Sequence, residues 1–240
     1  MSKTVLILGA NSDVAKAAIK KYVKKNYKVI AASRSTDSLT QFIQNEGLNH
    51  DLITVLYFDA THFESHHSFY AQISPKPEIV VYAAGFLADN EEALNDWDKT
   101  FQMIKVHYAG AVSIINIIVT DKENSSLERI IGLSSLSGVR GRKSNFIYGS
   151  TKSAFTQYLA GLRQYLSYRK VQVNAIIAGY IRSKMTAGLE LKESLMLEPE
   201  YIADVIVNPP NRFIIVPGIK WKIIYNILKM LPESLVAKLP

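Results

Sequence analysis

Short apolar runs alternate along the chain with stretches of helical spacing. Residues 5–8, 28–32, 52–58, 79–82, 129–133, 171–177 and 213–216 read as strands. Within each run the apolar residues follow one another almost without a break. Parallel strands covered on both faces have that pattern, whereas strands with one wet face alternate. Between the runs, residues 14–25 and 98–119 carry apolar side chains at helical spacing. Strand–helix alternation over the whole length predicts an α/β fold: a Rossmann-type doubly wound parallel sheet of about seven strands in one domain. No internal repeat, low-complexity tract or linker divides it. The last segment, 219–240, reads as an amphipathic helical extension of residues 1–218.

Composition narrows the chemistry. The chain has 240 residues, 48% hydrophobic and 20% charged, enough to bury a sizeable core and unlike a disordered or fibrous chain. It has no cysteine, which excludes disulfides, thiolate metal sites and a cysteine nucleophile. The first apolar run is too short for a signal-peptide core, and no stretch approaches the roughly 20 apolar residues of a spanning helix. The expected location is therefore cytoplasmic, with residues 219–240 able to rest on the inner face of a membrane.

The net charge of +7 is unevenly spread. Residues 1–34 hold eight basic side chains and one acidic, 35–120 three and eleven, 121–240 seventeen and nine. Lys16, Lys20, Lys21, Lys24 and Lys25 share a periodic segment with Val14, Ala17, Ala18, Ile19, Tyr22 and Val23. That is a solvated helix face. No aromatic residues are interleaved with the lysines for base stacking, so no nucleic acid is expected as a partner. His62, His66 and His67 have helical spacing, but no second ligand cluster accompanies them. They read as a solvated segment, and no metal is expected.

Candidate chemistry sits at the strand ends. The first strand runs into Gly9-Ala-Asn11-Ser12-Asp13-Val14-Ala15 and then a helix, a turn whose free N–H groups and helix dipole suit a pyrophosphate. The second strand ends at Ser33-Arg34, with an arginine where an acid would hold a ribose 2′-hydroxyl, which favours a 2′-phosphate. The third ends at Asp59-Ala60, where a carboxylate can accept from an adenine amine. The fourth ends at Ala83-Ala84-Gly85, small enough for close backbone approach. Ser135 ends the fifth strand, and Tyr148 and Lys152 follow four apart, on one helix face. A neighbouring ammonium favours the phenolate and draws a tyrosine toward neutrality, so the tyrosine can move a proton to or from a carbonyl oxygen. The serine hydroxyl can hold the same oxygen. No Gly-x-Ser-x-Gly elbow surrounds Ser135, which disfavours acyl transfer.

With these positions in register, the sequence resembles the short-chain dehydrogenase/reductase family over roughly residues 4–217. The resemblance implies Ser135, Tyr148 and Lys152 as the catalytic group, Lys152 also holding the nicotinamide ribose. It places the adenine-site acid on Asp59 and the Asn-Asn-Ala-Gly motif on 82–85. Its Pro-Gly segment falls on Ala178-Gly179, and its nicotinamide-amide threonine on Ser183. Val106 and Ile181 join the cofactor positions. The family's glycine-rich turn departs here at Asp13 and Ala15, and a helix N-cap is the preferred role for Asp13. The family's catalytic asparagine falls on His107. That histidine can serve through its backbone, as a proton relay, or as plain packing.

The stretch from Arg142 to Lys152 lacks the usual proline before the tyrosine, and the tail 216–240 replaces a glycine-rich end. Both are similar to the branch holding the keto-reductase subunit of decaprenylphosphoryl-ribose 2′-epimerase, which reduces a keto-pentose carried on a polyprenyl phosphate. The implied function is interconversion of a ketone and a secondary alcohol by hydride transfer. The implied cofactor is NADP, with NAD compatible; the substrate is a small or lipid-linked carbonyl compound, a keto-sugar above all. The family also implies a homo-oligomer. A second reading is a dinucleotide-binding, non-enzymatic or partner-dependent subunit of a glycan-assembly complex, resting on the altered turn and His107. Residues 184–200 read as a substrate lid. In the tail, Trp221, Ile224, Tyr225, Leu228 and Leu231 form an apolar stripe, for a membrane, a subunit contact or the core.

Overall fold

The computed structural model describes residues 2–238; Met1 and the last two positions of the tail, Leu239 and Pro240, lie outside them. Seven strands form one all-parallel sheet in the order β3-β2-β1-β4-β5-β6-β7. They are β1 (Thr4–Leu8), β2 (Lys28–Ser33), β3 (Ile53–Tyr57), β4 (Ile79–Tyr82), β5 (Arg129–Ser135), β6 (Gln172–Ala178) and β7 (Ile214–Ile215). The helices are α1 (Asp13–Lys24), α2 (Thr36–Asn45), α3 (His66–Ala71), α4 (Asn90–Asn95), α5 (Trp97–Ile104), α6 (Gly110–Thr120), α7 (Phe146–Tyr165), α8 (Pro199–Val207), α9 (Ile219–Met230) and α10 (Glu233–Val236). Strand ends fall within two residues of the periodic runs. β5 is extended by Ser134 and Ser135, so Ser135 is the last residue of the strand and pairs with Ala178.

The unbroken apolar runs have a direct cause. All five residues of β1 are buried, Leu6 and Leu8 against one helix layer, Val5 and Ile7 against the other. The first layer is made by α3, α6, α7 and α9, the second by α1, α2 and α8. The lysines of α1 point away from the core but not only into water. Lys20 pairs with Glu46 at 3.2 Å, Lys21 with Asp204 at 2.7 Å, and Lys16 lies 4.9 Å from the Phe42 ring centre.

Three expectations change. The segment 98–119 is not one regular helix, because a π-helical turn over Lys105–Ala109 joins α5 to α6. Together these form a helical stretch, Trp97–Thr120, that is long and apolar enough to cross a membrane by length and composition. Half of its most apolar window is buried in the domain, packed on α3 and α7. Among the histidines, His66 is not solvated. It is fully buried, stacked on Phe58, with one ring nitrogen 2.9 Å from the Ser113 hydroxyl and the other 2.9 Å from the Asp59 carbonyl. Finally, the lid segment is shorter than expected, since α8 begins at Pro199.

Candidate active site

Parallel strands end on the same edge of a sheet, so the residues after β1, β2, β4, β5 and β6 gather around one crevice. A cleft of about 790 Å³ opens there. Every candidate catalytic or cofactor residue named from the sequence lines it, except His107.

At one end is the phosphate turn. Gly9 has φ +86°, and a Cβ on it would sit 2.4 Å from the Ala84 nitrogen. Both the backbone conformation and the close approach of the β4 end demand glycine. Ser12, not Asp13, caps α1: its hydroxyl accepts from the Ala15 N–H at 3.2 Å. Asp13 instead turns its carboxylate to the Lys184 N–H, at 2.7 Å, so it ties the turn to the start of the lid. Asn11 donates to the Ser33 hydroxyl at 2.8 Å and to the Ser35 carbonyl at 2.7 Å, fixing the turn against the end of β2. Its Oδ1 is buried with no partner among the described residues.

Arg34 stands exposed beside this anchor. It also faces Asp59: burial would raise the Asp59 pKa, but Thr61 donates its N–H and hydroxyl, both at 2.8 Å, and Arg34 adds a positive charge. Together these hold the carboxyl below its usual range. An unpartnered acceptor, a glycine cradle and the N–H groups of a helix start fit a dinucleotide. Gly9, Asn11, Ser33, Arg34 and Asp59 are the residues that would hold its adenosine and phosphates.

The other end holds the proton-transfer group. Ser135 ends β5, its hydroxyl accepting from the Ser137 N–H at 3.2 Å. Tyr148 and Lys152 lie on the first two turns of α7. Burial pushes the Tyr148 phenol up to about 12, partly offset by the Ser135 hydroxyl. The Lys152 ammonium donates to the Leu133 carbonyl at 3.1 Å and lies 5.8 Å from the Tyr148 ring centre, and burial lowers its own pKa to about 8. A phenol beside a serine hydroxyl, with a buried lysine behind it, can exchange a proton with an oxygen bound in the cleft.

His107 lies in the π turn, wholly buried, its ring edge-on to Tyr148 at 5.2 Å between centres. Its Nε2 accepts from the Phe86 N–H at 3.0 Å, and an N–H can only donate, so that nitrogen is unprotonated. Its Nδ1–H then donates to the Thr151 hydroxyl at 2.8 Å, which in turn donates to the Tyr148 carbonyl at 2.7 Å. Burial and the charge of Lys152 keep the ring neutral. Both nitrogens are committed, so the relay reading gives way to a positioning one: His107 braces the loop after β4 against the helix that carries Tyr148. The π turn frees the Val106 carbonyl, and the Tyr82 hydroxyl donates to it. Sequence reading placed Tyr82 only as the first position of the motif at 82–85 and gave Thr151 no role, since these contacts exist only in space.

Several other lining residues had been given no individual site role. Asn90 is 7% exposed; its Oδ1 accepts from the Ile147 N–H at 3.3 Å, and its Nδ2 has no partner among the described residues. Asn145 donates to the Ser137 hydroxyl at 2.9 Å and leaves Oδ1 without a partner. Arg142 lines the cleft from the same loop, and Met185 and Leu189 from the lid.

Fold and site together define a nucleotide-dependent oxidoreductase. The sequence pattern of short chain dehydrogenases matches residues 3–194, and the chain belongs to that family. It is an NAD(P)-dependent oxidoreductase. An uncharacterised oxidoreductase of Staphylococcus haemolyticus is 26% identical over 211 residues, covering 85% of this chain and 89% of that one. Another, from Staphylococcus aureus, matches at the same identity and coverage. Among solved structures, a short chain dehydrogenase of Burkholderia cenocepacia in complex with NADP superposes with a TM-score of 0.85 at 15% identity, over 100% of this chain and 98% of that one. The Escherichia coli serine dehydrogenase superposes at 0.76 and 20% identity, over 89% and 96%.

Proposed function

We propose that this enzyme uses NADPH to reduce the ketone of a sugar carried on a lipid. One observation carries the reading: Ser135, Tyr148 and Lys152 line one cleft with the residues that would hold the nucleotide, the lysine buried behind the phenol. The cofactor, when bound, supplies the hydride. Ser135 holds the carbonyl oxygen, and Tyr148 gives it the proton as negative charge grows there. Arg34, with no acid at the end of β2, supports NADPH over NADH. The Burkholderia cenocepacia structure contains NADP, which accords with this choice. The unpartnered amide atoms of Asn90 and Asn145 suit the hydroxyls of a sugar. Leu87, Met185, Leu189 and Leu191 give the same end of the cleft an apolar lip that suits a lipid chain. The similarity of residues 140–152 and 213–240 to the polyprenyl-phosphate branch points the same way.

The test is NADPH oxidation with a 2-keto-pentose, free and on a short polyprenyl phosphate. Turnover favouring the lipid-linked form supports the reading. Equal turnover removes the lipid, and turnover with NADH alone removes the cofactor assignment. We also propose a homo-oligomer formed across α5, where Trp97 and Phe101 stack at 5.8 Å while 67% and 42% exposed. A monomer in sedimentation equilibrium would end that proposal.

A further inference from the structure

The C-terminal helix α9 is apolar on two opposite faces. The stripe that the sequence singles out is the inner one. Trp221 and Leu228 are buried, and Ile224, Tyr225 and Leu231 pack against the core. Trp221 fills the space above Gly179, where a Cβ would lie 2.0 Å from the indole ring. Its N–H donates to the Leu195 carbonyl at 2.8 Å.

The outer face is a second row: Ile219, Ile223, Ile227 and Met230, spaced four, four and three residues apart. They are 76%, 55%, 52% and 83% exposed, and Leu235 of α10 adds 48%. Such spacing lines side chains up along one side of a helix. A helix apolar all round is normally covered on every side.

Charge identifies what covers it. Lys220, Lys222, Lys229 and Lys238 flank the row, and Glu233 is the single acid between residues 219 and 238. None of these lysines is in a salt bridge among the described residues. A second copy docked two-fold on this face would meet the same lysines with only one acid to offset them. Anionic lipid supplies both the negative charge and the apolar layer.

We propose that α9 and α10 seat the enzyme on an anionic lipid surface, with Ile219, Ile223, Ile227 and Met230 at the acyl boundary and the lysines among the headgroup phosphates. The same helix is fastened to the substrate lid and to the loop over the reaction centre. Lys220 donates to the Ser194 carbonyl at 2.8 Å, and Arg140 donates to the Lys229 carbonyl at 2.9 Å. Seating α9 therefore sets the lid and the cleft mouth at the surface. The proposal stands on the chain's own exterior and holds whether or not the substrate is lipid-linked.

Flotation of the full-length protein with phosphatidylcholine vesicles, with and without phosphatidylglycerol, tests it. The wild type floats with the anionic vesicles and loses most of that binding in high salt. Lys222→Gln/Lys229→Gln lowers partitioning by on the order of 10-fold. Ile223→Glu/Ile227→Glu stays at the bottom of the gradient, while its NADPH binding, followed by fluorescence, shows that it is folded. Equal flotation of the wild type and the glutamate variant overturns the proposal, as does failure of the wild type to float. Should the glutamate variant instead turn a larger species into a smaller one on sizing, the row is a contact between copies and the lipid assignment fails.

Discussion

The two ends of the cleft are built differently. The nucleotide end is made of strand termini and one tight turn, and most polar groups there are tied down, the buried Oδ1 of Asn11 being an exception. Asn11 is fixed to Ser33 and Ser35, Asp59 to Thr61, and Gly9 by its own backbone. The far end is made of the loops 86–90 and 142–145 and the lid. There Asn90, Arg142 and Asn145 each keep a buried nitrogen or oxygen without a partner. A ligand common to many enzymes can be read by a rigid frame, whereas a particular substrate is read by loops that differ from one enzyme to the next. Between the two ends stands the reaction centre, held from behind by His107.

The comparison breaks most sharply at that centre. Replacing Tyr148 with phenylalanine removes the proton donor but no contact of the nucleotide end. Turnover should fall by about 100- to 10,000-fold while NADPH affinity changes little. Single-turnover and fluorescence titrations read the two separately. Full turnover in the variant would move the proton donor elsewhere.

At the nucleotide end, Arg34→Ala should weaken NADPH binding by about 10- to 100-fold, the loss of charge-assisted hydrogen bonds to a phosphate, and leave NADH nearly unchanged. Titration with both cofactors checks it. Equal losses for the two would make Arg34 a general electrostatic aid and not a reader of the 2′-phosphate.

The nucleotide end was also the legible one. Its residues follow strands with continuous apolar runs, buried on both faces in β1 and β2 though only partly in the edge strand β3, so strand ends could be counted and residues assigned to them. The far end was not legible, for three physical reasons. His107 acquires its role from Phe86 and Thr151, which are 21 and 44 residues away. Asn90 matters because its buried Nδ2 has no partner among the described residues, and burial of a short helix is not written in its own spacing. In α9 the helical period shows two apolar faces but not which one turns inward; Gly179, by leaving room for Trp221, decides that.

Lys152 couples the reaction centre to stability. Burial lowers its pKa from 10.5 to about 8, so below pH 8 the folded protein carries a charge that the interior disfavours. Between about pH 8 and 10.5 the unfolded chain binds more protons than the folded one, and stability rises with pH through that window. Lys152→Met removes the buried charge, though it leaves the Leu133 carbonyl unpaired. The expected net gain at pH 7 is about 1–2 kcal/mol, or roughly 2–8 °C in Tm for a chain of this size, with loss of activity. The gain should shrink as pH rises toward 10.5. A lower Tm at pH 7 would show that the ammonium is satisfied better than its single carbonyl partner implies.

The smallest effect falls on the one residue that links the two ends. Asp13 brings a negative charge to the phosphate turn, yet its carboxylate is used to hold the Lys184 N–H at the start of the lid. Charge and tether can be separated. Asp13→Asn keeps an oxygen that can accept from Lys184 and removes the charge, so NADPH should bind about 2- to 5-fold tighter, with the gain fading in high salt. Asp13→Ala removes both. It should show the same tighter cofactor binding, but with a KM for the carbonyl substrate raised a few-fold as the lid loses its anchor. If the two variants behave alike toward the carbonyl substrate, Asp13 is only a charge beside the phosphates. If they differ, the nucleotide end reaches into the lid through a single carboxylate, and the division between a rigid end and an adaptable one is bridged at that residue.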